Sequence, residues 1–269
     1  MSEQPFTLAP GSRFRLKEFD PAWTGCYQSK GQAKQRIKEN LRRLNELQEM
    51  LFAQDNRALL IVLQGMDTAG KDGAIKHVMG AFNPQGVHVT SFKVPTKEEY
   101  AHDFLWRIHR AVPSRRMVGI FNRSHYEDVL AARVLEIVTE DVWGRRYEQI
   151  NSFERLVADS GVFIVKLFLH ISKEAQAQRL LERQQVPRKQ WKFSPGDLDQ
   201  RKLWADYTAA FEDALSMCNT EHAPWYVIPA DRKWYRNLAV SEILLQTMES
   251  MELSFPEPVP DIESYAIPE

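Results

Sequence analysis

The chain has 269 residues, 43% of them hydrophobic and 26% charged, a globular composition that speaks against disorder and a length that suits one large α/β domain, the first expectation, or two small ones. A formal net charge of -1 excludes the global basic field of a protein held on nucleic acid by electrostatics alone. Two distant cysteines, Cys26 and Cys218, exclude a disulfide framework and fit a reducing cytoplasm, while the lack of an apolar leader or of a run of about 18 apolar residues predicts no membrane partner.

Residues 1–29, with Pro5, Pro10, Gly11, Pro21 and Gly25, carry no sustained periodicity and read as an irregular lead-in. Over 30–53, Ile37, Leu41, Leu44, Leu47, Met50 and Leu51 recur at three- and four-residue spacing amid charge, which predicts an amphipathic helix. The apolar run 58–63 then stops at Gln64-Gly65, as a strand buried on both faces does. Similar runs at 87–92, 117–121, 163–169 and 225–228 predict four more strands. Helical patterns at 71–82, 97–111, 124–136, 140–159, 172–184, 198–217 and 233–251 separate most of them. Such alternation predicts an α/β fold with a five-stranded parallel sheet flanked by helices in three layers. One domain spans 30–253, the basic, Pro-containing stretch at about 185–199 reads as a helical lid, and 254–269 as an acidic, Pro-rich, weakly ordered tail.

The residues Gly65, Met66, Asp67, Thr68, Ala69, Gly70 and Lys71 fit the pattern G-x-x-x-x-G-K, between a buried strand and a helix. Its glycines let successive backbone N–H groups turn toward phosphate oxygens, and Lys71 adds a mobile cation. Asp72 stands where a Ser or Thr hydroxyl normally holds magnesium, so Asp67 inside the loop becomes the candidate metal ligand. Asp72 either assists it or serves the first helical turn.

The strand at 117–121 ends in Asn122, Arg123, Ser124, His125, Tyr126, Glu127 and Asp128. Ligands gather beyond the carboxyl ends of the strands of an open α/β sheet, so Arg123 is expected beside the phosphate loop, able to clamp a transferring phosphoryl group. Asp128 is a second candidate for metal or base. Ser124 reads first as a helix cap with Glu127 three positions on, and His125-Tyr126 as packing. Arg133 either reaches phosphate or pairs with Glu136. From Arg179 to Lys202 seven cations face three acids, and Arg179 and Arg183, at i and i+4, point the same way. With Lys189 and Lys192 from the lid they suit a ligand more anionic than one nucleoside triphosphate, unless the run is only a solvated face.

The loop through Gly73, the stretch Phe121 to Asp128, Trp191-Lys192-Phe193, Gly196-Asp197-Leu198, the segment 223–230 and Lys233-Trp234-Tyr235-Arg236 together resemble the polyphosphate kinase 2 family over most of the chain. The resemblance implies a P-loop nucleotide-kinase-like fold and magnesium-dependent, reversible phosphoryl transfer between inorganic polyphosphate and a nucleotide. It implies that Asp67 and Asp128 hold Mg²⁺ and that Lys71 and Arg123 neutralise the transferring group. Gly65, Thr68, Ala69, Gly70, Lys71, Asp72, Gly73, Arg133, Arg179, Arg183, Lys189 and Lys192 would bind phosphate or polyphosphate, and Asn122 and Glu127 the nucleotide. The stretch from His125 to Asp128 is similar to the subgroup acting on both mono- and diphosphates, which would take AMP to ADP and ATP, with guanine nucleotides as further acceptors. The family is also expected to form homo-oligomers, for which 96–110, with Tyr100, Phe104 and Trp106, offers either an interface or core. The rival readings are an ATP-dependent nucleoside monophosphate kinase and a non-catalytic binding protein.

Overall fold

The computed structural model describes residues 6–268. Residues 1–5 of the expected lead-in and Glu269 of the expected tail lie outside the described residues. In chain order the elements are α1 (Lys30–Gln54), β1 (Ala58–Gln64), α2 (Lys71–His77), β2 (Val87–Ser91), α3 (Lys97–Tyr100), α4 (Trp106–His109), β3 (Val118–Asn122) and α5 (Ala131–Val134). There follow α6 (Glu140–Asp159), β4 (Val162–His170), α7 (Lys173–Gln185), α8 (Pro187–Gln190), α9 (Pro195–Lys202), α10 (Trp204–Met217), β5 (Trp225–Pro229) and α11 (Lys233–Ser250). None of these helices is long and apolar enough to cross a membrane.

All five strands run parallel in the order β2-β3-β1-β4-β5. β1 is central and buried along its whole length because β3 and β4 cover its two edges and helices cover both faces. Its side chains alternate between two cores. Leu60 and Val62 meet Tyr147, Ile150 and Phe153 of α6 and Phe211 of α10, while Leu59, Ile61 and Leu63 join a core shared with Leu44, Leu47 and Leu51 of α1 and Leu238, Ile243 and Leu244 of α11. At about 1.5–3 kcal/mol for each fully buried large aliphatic side chain, these two layers drive the assembly. The chain reverses from β3 to β4 on either side of β1, so the carboxyl end of β1 lies at the switch point where an open sheet leaves a crevice.

Four expected helices are interrupted. The 71–82 pattern leaves α-geometry after His77 and continues as a 3-10 turn, Met79–Ala81. The 97–111 pattern divides into α3 and α4, because Asp103 accepts the Leu105 N–H at 2.9 Å and closes a local turn between them. The 124–136 pattern becomes a 3-10 turn, His125–Asp128, followed by the four residues of α5. The 198–217 pattern breaks at Leu203, whose φ of -87° and ψ of 24° are non-helical, so α9 and α10 are separate. The lead-in is irregular yet packed, since Phe14 and Leu16 are buried in the first core and the Val227 N–H donates to the Phe6 carbonyl at 2.6 Å.

Candidate functional site

The phosphate loop leaves β1 through two glycines with positive φ, and both are required by their neighbours. A Cβ at Gly65, at φ +151°, would sit 2.7 Å from the Leu169 carbonyl, and one at Gly70, at φ +109°, would sit 1.8 Å from Arg236 Nη1. Thr68, at φ 64°, supplies a further left-handed turn. Lys71 Nζ folds back to donate to the Gly65 carbonyl at 2.7 Å and the Met66 carbonyl at 3.4 Å. Burial pushes the Lys71 ammonium below its ordinary pKa, although the Asp67 carboxylate pulls the other way.

β3 ends beside this loop. Arg123 takes a left-handed φ of 63°, its N–H donates to the Leu63 carbonyl at 3.0 Å, and its guanidinium donates to Asp67 Oδ1 at 2.8 Å. Burial works against its charge, but Glu127 and Asp67 hold its pKa above the ordinary value. Asn122 donates to Asp72 Oδ1 at 3.0 Å. Asp72 is held below the usual carboxylate range: partial burial raises it, and Asn122 and Lys192 outweigh that.

Beneath Arg123 lies a buried polar cluster. Lys166 Nζ on β4 donates to Glu154 Oε2 of α6 at 2.5 Å, to the Tyr126 hydroxyl at 2.8 Å and to the Cys218 carbonyl at 2.7 Å. His125 Nε2 and the Tyr126 hydroxyl reach Glu154 Oε1 at 3.1 and 2.9 Å. Ser124 Oγ accepts from the Tyr126 N–H at 3.2 Å, so it caps the 3-10 turn, without the expected reciprocal bond from Glu127. The cluster fixes the turn that carries Arg123 in its strained conformation.

A cavity of about 1410 Å³ opens over the loop. It gathers Asp67, Thr68, Gly70, Lys71, Asp72, Gly73, Asn122, Arg123, Arg179, Arg183, Lys189 and Lys192 from the expected site. Gly65 and Glu127 instead line a second, 40 Å³ cavity across the Asp67–Arg123 pair, walled by Leu130, Trp204, Tyr207 and Phe211.

Three expected residues line neither cavity, Ala69 because its side chain is turned into the second core. Asp128 is placed 3.9 Å from Arg107 and 3.5 Å from Arg146, and burial raises its pKa. Arg133 donates to Asp213 at 2.7 Å and lies over the Trp143 ring, and so pairs neither with Glu136 nor with the phosphate loop. The lid cations are present but engaged. Arg179 is buried and spends its guanidinium on the Thr68, Ala69, Ala230 and Asp231 carbonyls, bracing the loop from behind. Arg183 pairs with Asp197 at 2.8 Å, Lys189 with Glu182, and Lys192 with Asp72 at 3.4 Å.

Other cations on the cavity wall lie outside the sequence-derived set: Lys30, Lys34, Lys76, Lys93, Arg188, Lys233 and Arg236. Lys30 and Lys34 share an i,i+4 face and Lys76 follows Gly73 by three, signals readable in one dimension. Nothing in the sequence brings Arg236 of α11 onto Gly70 and Gly73, where its guanidinium lies. Chemically the site can hold a polyphosphorylated anion, neutralise it from several sides, and keep a carboxylate and an arginine at its centre.

The model of the family described as Polyphosphate kinase 2 matches residues 27–256. The AMP/ADP-polyphosphate phosphotransferase of Meiothermus ruber is 50% identical over 254 residues, 94% of this chain and 95% of that protein. The ADP-polyphosphate phosphotransferase of Rhodopseudomonas palustris is 40% identical over 267 residues, covering 95% and 92%. The crystal structure of Polyphosphate Kinase 2 from Arthrobacter aurescens TC1 superposes with a TM-score of 0.94 at 44% identity, over 98% of this chain and 95% of that one.

Proposed function

The chain belongs to the polyphosphate kinase 2 family, and from that membership we propose that it transfers phosphoryl groups reversibly between inorganic polyphosphate and nucleotides, raising AMP to ADP and ADP to ATP. The observation that carries the reading is Lys71 and the Asp67–Arg123 pair at the base of a cation-lined cavity of about 1410 Å³. That volume exceeds the roughly 300–1,000 Å³ usual for a small-molecule pocket and suits a chain of phosphates as well as a nucleotide.

The residues fit a magnesium ion, which is commonly held by one or two carboxylates plus substrate phosphates while keeping several waters. Asp67, on the cavity wall, would hold it, with Asp72 the nearer second carboxylate and Asp128 set back among arginines. When bound, the ion neutralises charge on the phosphate oxygens. Lys71, a buried cation resting on two carbonyls, moves its head onto the incoming phosphate, and Arg123 neutralises the group in transfer. Acceptor nucleotide reaches Arg123 through the large cavity beside Asn122, with Glu127 acting from across the Asp67–Arg123 pair. Positioning and charge neutralisation do most of the work in such a transfer, so no covalent nucleophile is needed.

The catalytic unit in this reading is 30–253, with the lid at about 185–199, and guanine nucleotides are accepted beside adenine ones. The enzyme works in the cytoplasm, where the free thiols of Cys26 and Cys218 stay reduced, and as a homo-oligomer to which the exposed Tyr100 contributes.

Long-chain polyphosphate, Mg²⁺ and either AMP or ADP, with no ATP, should yield the next higher nucleotide. Absence of any higher phosphate with every nucleotide overturns the reading, and brisk reaction of ATP with AMP in its place would establish a monophosphate kinase.

A further inference from the structure

Arg236 is 3% exposed and has no acidic partner among the described residues. Its Nε and Nη2 donate to the neutral Asn237 side chain at 3.2 and 2.7 Å, and Nη1 makes no hydrogen bond to a described residue while lying against Gly70 on the cavity wall. Burial, reinforced by the nearby Arg179 cation, lowers its pKa to about 10. A buried guanidinium without a counter-charge is costly, and the missing partner is an anion that arrives from the cavity.

The surroundings give that anion a direction. α1 and α11 pack side by side in parallel, since Arg36 meets Glu242, Asn40 meets Ser241 and Arg43 meets Glu249. The first turns of α1, with exposed Lys30 and Lys34, therefore lie beside the first turns of α11, which carry Arg236. On α2, Gly73 faces Arg236, and Lys76 three residues on shares that face. Lys30, Lys34 and Lys76 form no ion pair with a described residue, whereas on the lid side of the cavity Arg183, Lys189 and Lys192 are already paired and Arg188 alone is not.

We propose that the phosphate chain leaves the P-loop between the first turns of α1 and α11 and the outer face of α2, with Arg236 binding the phosphate next to the one held by Lys71. This inference rests on the polyphosphate reading above and adds a path and a specificity residue. The chain runs along the α1 side and not along the lid, so Arg236, Lys34 and Lys76 separate a long polyanion from a short one.

The test measures KM for tripolyphosphate and for long-chain polyphosphate at saturating ADP, in the wild type, Arg236→Gln, Arg236→Lys and the exposed double variant Lys34→Gln/Lys76→Gln. Loss of one charge-assisted contact should raise the long-chain KM about tenfold in Arg236→Gln, with partial rescue by Arg236→Lys and the KM for ADP within about twofold. The double variant should narrow the advantage of long chains over tripolyphosphate about threefold or more, which a purely structural role for Arg236 would not produce. If Arg236→Gln fails to fold, the double variant decides alone. An unchanged long-chain KM in the folded variants, with normal polyphosphate-driven turnover in the wild type, overturns this path and leaves the proposed function standing. A wild type that makes no product from polyphosphate defeats the proposed function and this path with it.

Discussion

The Arg123 guanidinium donates to Asp67 Oδ1 at 2.8 Å, joining the end of β3 to the middle of the phosphate loop. Each side chain is thereby held where the other is needed, and neither needs to be recruited when phosphate binds. Asp67→Asn and Arg123→Ala should each lower kcat about a hundredfold or more, and the double variant should lose much less than the sum, as groups acting as one unit do. Thermal melting should move little, because the arginine side chain is 37% exposed and such pairs contribute about 1 kcal/mol or less. Strict additivity in kcat would show that the two act separately.

Lys71 sits buried with its ammonium on two carbonyls and its pKa depressed by desolvation. Lys71→Met should abolish measurable turnover without lowering the melting temperature of the ligand-free protein, since it removes a buried charge that has no carboxylate partner in hydrogen-bond contact. Calorimetry alongside a product assay checks both halves, and a large drop in melting temperature would make Lys71 a structural residue.

Three glycines separate backbone strain from helix propensity. Gly65→Ala meets the Leu169 carbonyl and Gly70→Ala meets Arg236 Nη1, both at positive φ, so each should destabilise the chain by about 1–3 kcal/mol and impair polyphosphate binding. Gly144, inside α6, has open space where a methyl would stand, with no atom within 4 Å, and Gly144→Ala should stabilise by about 0.5–1 kcal/mol. Denaturant unfolding of the three variants decides.

Glu154 is fully buried, and although burial raises its pKa, Lys166 and His125 hold the carboxyl below its ordinary 4.5. A depressed carboxyl contributes stability that is complete above the unfolded value and lost as pH falls through the folded one. The wild type should therefore lose melting temperature as pH drops below about 4.5, and part of that loss should vanish in Glu154→Gln. The variant should also be less stable at neutral pH by about 3–5 kcal/mol, because it leaves Lys166 charged and buried without its partner. A variant with the wild-type acid profile would place the titration elsewhere.

Arg133→Met distinguishes the sequence expectation from the structure. With Arg133 bound to Asp213 and stacked on Trp143, the variant should lose about 1 kcal/mol of stability or less and keep its KM for polyphosphate. A several-fold rise in that KM would return Arg133 to the phosphate site.

The sheet was legible because β1 is apolar along its length and ends abruptly in a glycine, a pattern that burial on both faces imposes. The breaks at 101–105 and at Leu203 were not, because Asp103 turns and non-helical backbone interrupt runs whose apolar spacing still looks helical. The phosphate loop was readable as seven contiguous residues. Arg179 was found as a cation near the site, but its task depends on carbonyls at 68, 69, 230 and 231, which only the fold brings together. Asp128 has the right chemistry and spacing for a metal ligand, and Arg107 and Arg146, distant in sequence, claim it. Arg236 escaped for the opposite reason: its neighbours Gly70 and Gly73 carry no side chain that signals a contact.

The near-zero formal charge of -1 conceals a segregated one. Lys30, Lys34, Lys76 and Lys93 form no ion pair among the described residues and stand around the cavity, while exposed acids such as Glu257, Asp261 and Glu263 lie on the C-terminal segment. The cavity mouth thus carries a local positive field that the net charge hides, and a polyanion feels its attraction before contact. Capture should accelerate at low ionic strength, where the Debye length of about 30 Å at 0.01 M spans the molecule's face, and slow as salt shortens it to about 8 Å.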